Sequence, residues 1–189
     1  MAVVGDSFSL DKPEYWHRRT AACINFMAEV NSVGGSGFAQ PGLNKQPFDF
    51  PERVQTVVAA KPDLLIFATA FNDAGYTEWQ PQVVKNRVLE TIATYRSHLP
   101  ETKIVIMGPF WAIDPLPKKI TDNRDILAAA AAETGVTYVD SSQWVREDKD
   151  LADNDGQHPT ESGHKLIADR LLAELRDAGL ATPNSSCNV

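Results

Sequence analysis

Asp63-Leu64-Leu65-Ile66-Phe67-Ala68 is an apolar run without a polar face, and its reading decides the fold. A continuous run of this kind, followed by the polar pair Asn72-Asp73, belongs in a strand buried on both sides. Lys103-Ile104-Val105-Ile106-Met107 is a second such strand, stopped by Gly108-Pro109. A sheet covered on both faces needs helices between its strands. The stretches Pro51 to Ala60, Gln82 to His98 and the alanine-rich Thr121 to Thr134 supply them. Working outward, Ala2–Gly5 reads as a short first strand and Pro13 to about Glu29 as a helix with Trp16, Ala22, Phe26 and Met27 apolar. Val30–Val33 and Val136–Val139 read as further strands, and Thr160 to Ala178 as a final helix. The pattern predicts an α/β protein: a three-layer α/β/α sandwich around a parallel sheet of about five strands.

At 189 residues the chain is long enough for one well-buried core. The expected domain spans residues 1–180, followed by a loose tail, 181–189, rich in Pro, Asn and Ser. With 43% hydrophobic and 23% charged residues and a net charge of −7, the composition is that of a soluble protein. The negative balance, without a basic cluster, argues against nucleic acid or an anionic membrane as partner. No apolar run approaches the ~20 residues that cross a bilayer. The abrupt start, with a strand directly after Met1, suggests a trimmed leader or an upstream domain. Cys23 in a helix and Cys187 in the tail are read as two free thiols.

Ligands of open parallel sheets bind beyond the carboxyl ends of the strands. Gly5-Asp6-Ser7, Gly34-Gly35-Ser36-Gly37, Asn72-Asp73 and Gly108-Pro109-Phe110-Trp111 each follow a predicted strand, and Asp155-Gly156-Gln157-His158-Pro159 precedes the last helix. Singly, each has an ordinary reading: capped turns, a flexible loop, a helix start with Thr160 as N-cap. Together they supply a serine, a histidine to take its proton and an aspartate to orient that histidine. Ser36 has no Gly-x-Ser-x-Gly elbow around it, and the glycines lack the Lys-Ser/Thr of a phosphate loop. His17 and His98 have no partner motif, and His164, on the last helix beyond Gly163, reads as a packing or surface residue. The spacing of Asp73, Asp155, His158 and His164 matches no zinc pattern.

These blocks, in this order, resemble the GDSL or SGNH hydrolases, and the resemblance covers nearly the whole chain. It implies a flavodoxin-like fold and an esterase or lipase that needs neither metal nor organic cofactor. By the resemblance, Ser7 is the nucleophile, with Asp155 and His158 completing the triad. The Ser7 amide, the Gly37 amide (Gly35 as second choice) and the Asn72 side chain form the oxyanion hole. The chain departs once: the family usually has Gly two residues before the asparagine, where this sequence has Ala70.

Phe38, Phe71, Phe110 and Trp111 lie on the same loops and are candidate walls of a substrate pocket. The reading is a serine esterase acting on carboxylic esters, with small acyl groups such as acetyl, on a carbohydrate or another alcohol, as first choice. Two alternatives remain: an O-acyltransferase acting on a sugar hydroxyl, and a carbohydrate-binding module that kept the fold without turnover.

Overall fold

The computed structural model describes residues 1–145, 151–153 and 155–187. The sheet has five parallel strands: β1 (Ala2–Gly5), β2 (Glu29–Ser32), β3 (Leu64–Ala68), β4 (Lys103–Met107) and β5 (Thr137–Val139), in the order β2-β1-β3-β4-β5. That order places the topological switch between β1 and β3, where an open sheet forms its ligand crevice. In register, Gly5 pairs with Ser32 and Ala68, so the ends of β1, β2 and β3 are level. The loops after them start from one edge.

Side chains alternate between the two faces of each strand. Val3, Leu64, Ile66, Ala68, Val105 and Met107 point to one face, where helices α1 (Trp16–Cys23) and α6 (Glu161–Asp177) cover them. Ala2, Val4, Leu65, Phe67, Ile104 and Ile106 point to the other, under α2 (Pro51–Ala60), α4 (Pro81–His98) and α5 (Lys118–Thr134). Five consecutive buried residues in β3 therefore serve two cores, which is why the run has no polar member. Full burial of each Leu, Ile or Phe side chain among them contributes about 1.5–3 kcal/mol.

Several elements differ from the sequence reading. The first helix covers Trp16–Cys23 alone, because Asn25 takes a left-handed φ of 58° and the Ile24 and Phe26 amides close onto Ala21 O. Met27, expected on an apolar face, is 91% exposed. A six-residue helix, α3 (Ala74–Trp79), precedes α4 and had no periodic signal. α5 begins at Lys118, directly after Pro117, one turn earlier than expected.

The largest correction concerns the cysteines. Cys23 and Cys187 form a disulfide across a separation of 164 residues. The segment after residue 180 accordingly turns back onto α1: Asn184 N donates to Cys23 O (2.7 Å), and the Asn184 side chain pairs with Asn25. Closing so long a loop restricts the unfolded chain strongly. Cys187→Ser is expected to lower the unfolding free energy by about 2–5 kcal/mol. Urea titrations should show the same drop in midpoint when wild type is reduced.

Candidate active site

The site begins with the turn after β1. Asp6 caps the short 3-10 turn Ser7–Ser9 by accepting from Phe8 N at 2.9 Å. The turn is anchored to α1 by Trp16 Nε1, which donates to Phe8 O (3.1 Å). Ser7 is thus held half-buried at the tip of β1, its hydroxyl toward the loop before α6.

That loop brings the other two members. Thr160 caps α6 by accepting from Gly163 N, which fixes the helix start just after His158. Ser7 Oγ lies 2.9 Å from His158 Nε2, and His158 Nδ1 lies 2.5 Å from Asp155 Oδ2. With the Nδ1 proton toward Asp155, Nε2 is left to accept from the serine. The second carboxylate oxygen of Asp155 accepts from Gln157 N (2.8 Å) and His158 N (2.9 Å). The His158 contact and these amides hold Asp155 down at about 2, although its side chain is half exposed. Phe8 supports the imidazole from behind, its ring 4.9 Å from that of His158.

The groups expected in the oxyanion hole are differently engaged. Gly37 N donates to Gln40 O at 2.8 Å, so this amide is already engaged. Gly37 is a glycine for another reason: a Cβ there would stand 2.6 Å from the Asp73 carboxylate. Gly35, with a left-handed φ of 73°, carries an amide without an acceptor among the described residues, as does Ser7. The Asn72 amide donates to Asp6 Oδ2 (2.8 Å) and to Ser36 O (3.0 Å), which uses both of its N–H bonds. In this arrangement Asn72 braces the Ser7 turn against the glycine loop.

Asp6, Asp73 and Arg53, assigned no role from sequence, are buried at the centre of this bracing. Asp6 also accepts from Ala70 N at 2.7 Å. Burial pushes its carboxyl up to about 6, against the pull of the Ala70 and Phe8 amides. Burial likewise raises Asp73, opposed by the amides of Gln40, Phe38 and Ala39. Only their chain neighbours could have pointed to these aspartates, and nothing marked Arg53 within α2. Ala70, the departure from the family pattern, is 1% exposed, with its methyl in the α1/α6 core and clear of the crevice.

The four aromatic candidates separate. Phe38 is fully buried in the opposite core against Phe48 and Phe67, and it cannot line a pocket at Ser7. Phe110 is also fully buried, stacked on Phe8 at 5.8 Å as support behind the site. Phe71 and Trp111 are half-buried and in edge contact at 5.4 Å, so these two remain available to a substrate. His164, on α6, is buried against Tyr15, His17 is tied to Leu10 O, and His98 lies exposed on α4. Among the described residues no group of three or more His, Cys, Asp or Glu is arranged to hold a metal ion.

Known proteins share this architecture. A family two carbohydrate esterase from Clostridium thermocellum, solved with cellohexaose, superposes with a TM-score of 0.75 at 15% identity, over 94% of this chain and 63% of its own. The chain therefore spans less than two thirds of that esterase. The crystal structure of TesA gives a TM-score of 0.71 at 20% identity, over 93% of this chain and 97% of its own. At such identities the likeness is one of fold. In sequence, GDSL lipase Rv0518 of Mycobacterium tuberculosis (strain ATCC 25618 / H37Rv) is 27% identical over 186 residues, 90% of this chain and 79% of its own. The sequence model of the GDSL-like lipase/acylhydrolase family matches residues 3–166, from β1 into α6, so the chain belongs to that family and is an ester-hydrolysing enzyme.

Proposed function

We propose that the enzyme hydrolyses short-chain carboxylic esters, acetyl esters of a carbohydrate or similar alcohol foremost, through an acyl-Ser7 intermediate. The observation that carries the acyl-Ser7 mechanism is the unbroken contact chain from Ser7 Oγ through His158 to Asp155, at 2.9 and 2.5 Å. Ser7 Oγ attacks the ester carbonyl while its proton passes to His158 Nε2. The amides of Ser7 and Gly35 bind the oxygen that becomes negative, each worth about 3–4 kcal/mol of barrier. Collapse expels the alcohol, which takes the proton back from His158. Water, deprotonated by the same imidazole, then releases the acid and restores the serine.

The short acyl group is supported by the packing behind the catalytic histidine. Phe8 and Phe110 are buried against each other and against the core, so neither ring offers an open wall for a long chain. The half-buried pair Phe71 and Trp111 offers one small apolar contact. Carbohydrate esterases with this fold favour a sugar on the alcohol side. No helix among the described residues is long and apolar enough to cross a membrane, and the Cys23–Cys187 disulfide favours an oxidising compartment outside the cytoplasm.

Rates on p-nitrophenyl acetate, butyrate and octanoate test the acyl preference. The kcat/KM for acetate is expected to exceed that for octanoate at least about tenfold, since a chain that finds no pocket gains no transition-state binding. A higher value for octanoate would overturn the short-chain assignment and leave the serine mechanism standing.

A further inference from the structure

The loop that carries Gly35 holds three glycines in four residues, Gly34, Gly35 and Gly37. Such a segment has much backbone freedom to lose, so its surroundings must fix it if an amide is to act from a set position. Two buried charges do so. Arg53, 2% exposed on α2, places all five of its N–H bonds. Nε donates to Asn31 Oδ1 (3.0 Å), one terminal nitrogen to Ser36 Oγ (3.0 Å) and Gln46 O (3.0 Å), the other to Gly5 O (2.8 Å) and Asn31 O (2.7 Å). Its guanidinium therefore joins the carbonyl just before the nucleophile turn to the residue just after Gly35. Ser36 Oγ in turn sits 2.7 Å from Val33 O, at the start of the loop.

From the far side, the fully buried Asp73 accepts from Phe38 N (2.8 Å), Ala39 N (2.9 Å) and Gln40 N (2.8 Å), gathering three successive amides. Gly37 permits the approach. Bonds to a charged partner are about twice as strong as neutral ones, and a planar fork fixes direction as well as distance. Neither charge contacts the triad side chains in any hydrogen bond described above. Their common object is the glycine loop.

We propose that Arg53 and Asp73 are positioning residues that hold the Gly35 amide where the oxyanion forms, Arg53 through Ser36 and Gly5 and Asp73 through residues 38–40. The proposal rests on the Ser7-centred reading of the site. A misplacement of about 1 Å at a reacting group can cost about a hundredfold in rate. Arg53→Lys keeps the charge and loses the fork; Asp73→Asn turns one acceptor into a donor facing an amide. Each is expected to lower kcat on p-nitrophenyl acetate about 10²-fold with KM changed less than about twofold. Ser36→Ala, the smallest cut between Arg53 and the loop, is expected to cost about tenfold.

The discriminating readout is the Ki of trifluoroacetone, whose adduct with the serine presents an oxyanion. It should rise in each variant by the factor by which kcat/KM falls, in protein normalised for active sites and with unchanged near-UV circular dichroism. A purely structural role would reduce the folded fraction and leave Ki where it was. Should the two buried-charge variants fail to fold, Ser36→Ala decides. Folded Ser36→Ala with wild-type kcat and Ki, or a fall in kcat without a rise in Ki, overturns the proposal. Full activity in Ser7→Ala would instead bring down the reading beneath it, and the proposal with it.

Discussion

Ser7→Ala and His158→Ala are each expected to lower kcat on p-nitrophenyl acetate about 10⁵- to 10⁶-fold, and the double variant no further. In the proposed mechanism the two side chains act as one unit: without the imidazole 2.9 Å from its oxygen, the hydroxyl keeps its proton, and without the hydroxyl the imidazole has nothing to activate. The Ser7 and Gly35 amides survive both changes, so a residual rate above that in water should remain. Steady-state kinetics on the three variants checks this. Additive losses would mean that the residues work independently, and the 2.9 Å contact would carry no catalytic meaning.

Asp155→Asn is the second large effect, expected at about 10⁴-fold in kcat. The asparagine oxygen can still accept from the Gln157 and His158 amides, so the loop should keep its shape. Its NH₂ would then face His158 Nδ1 and turn the ring to the tautomer with the proton on Nε2. That nitrogen could no longer accept from Ser7. Because the His158 contact and the amides hold Asp155 down at about 2, the wild-type carboxylate stays ionised at every usable pH. Between about pH 6 and 9 the carboxylate therefore adds no titration of its own to the wild-type rate profile. The sign for stability follows: a depressed carboxylate contributes above its unfolded value of about 4, and that contribution is lost as pH falls through about 2. A variant within tenfold of wild type would show that Asp155 does not set the tautomer.

Much of the fold was legible because the strands state it. β3 and β4 are apolar throughout, as strands serving two cores must be, and their positions agree with the sequence reading to within a residue. α3 escaped because six residues with Gly75 among them complete no amphipathic period. The end of α1 turned on Asn25 adopting a left-handed φ, which its composition permits without requiring. Nor could the disulfide be read, since pairing across 164 residues depends on where the last helix returns the chain.

In the site, the motifs located the three blocks and the Asp-x-x-His pair. They could not tell which glycine amide stays free. That choice depends on a turn in which Gly37 N closes onto Gln40 O, and on a carboxylate, Asp73, that packs where a Cβ would sit. The aromatic residues illustrate the same limit. Phe38 and Phe71 both follow strand ends, but Phe38 is fully buried in the core under α2 and α4 while Phe71 stays half-buried against the edge of the α1/α6 core.

The most direct measurement is covalent labelling by a fluorophosphonate, followed by peptide mass mapping of wild type and Ser7→Ala. The reagent forms a stable bond only with a serine whose proton is taken by a neighbouring base, and it does not depend on the natural ester. A single adduct on Ser7, appearing in step with loss of esterase activity and absent from Ser7→Ala, is the expected result. An adduct on another residue accompanying inactivation, or an active enzyme that takes no label, would contradict the acyl-Ser7 mechanism.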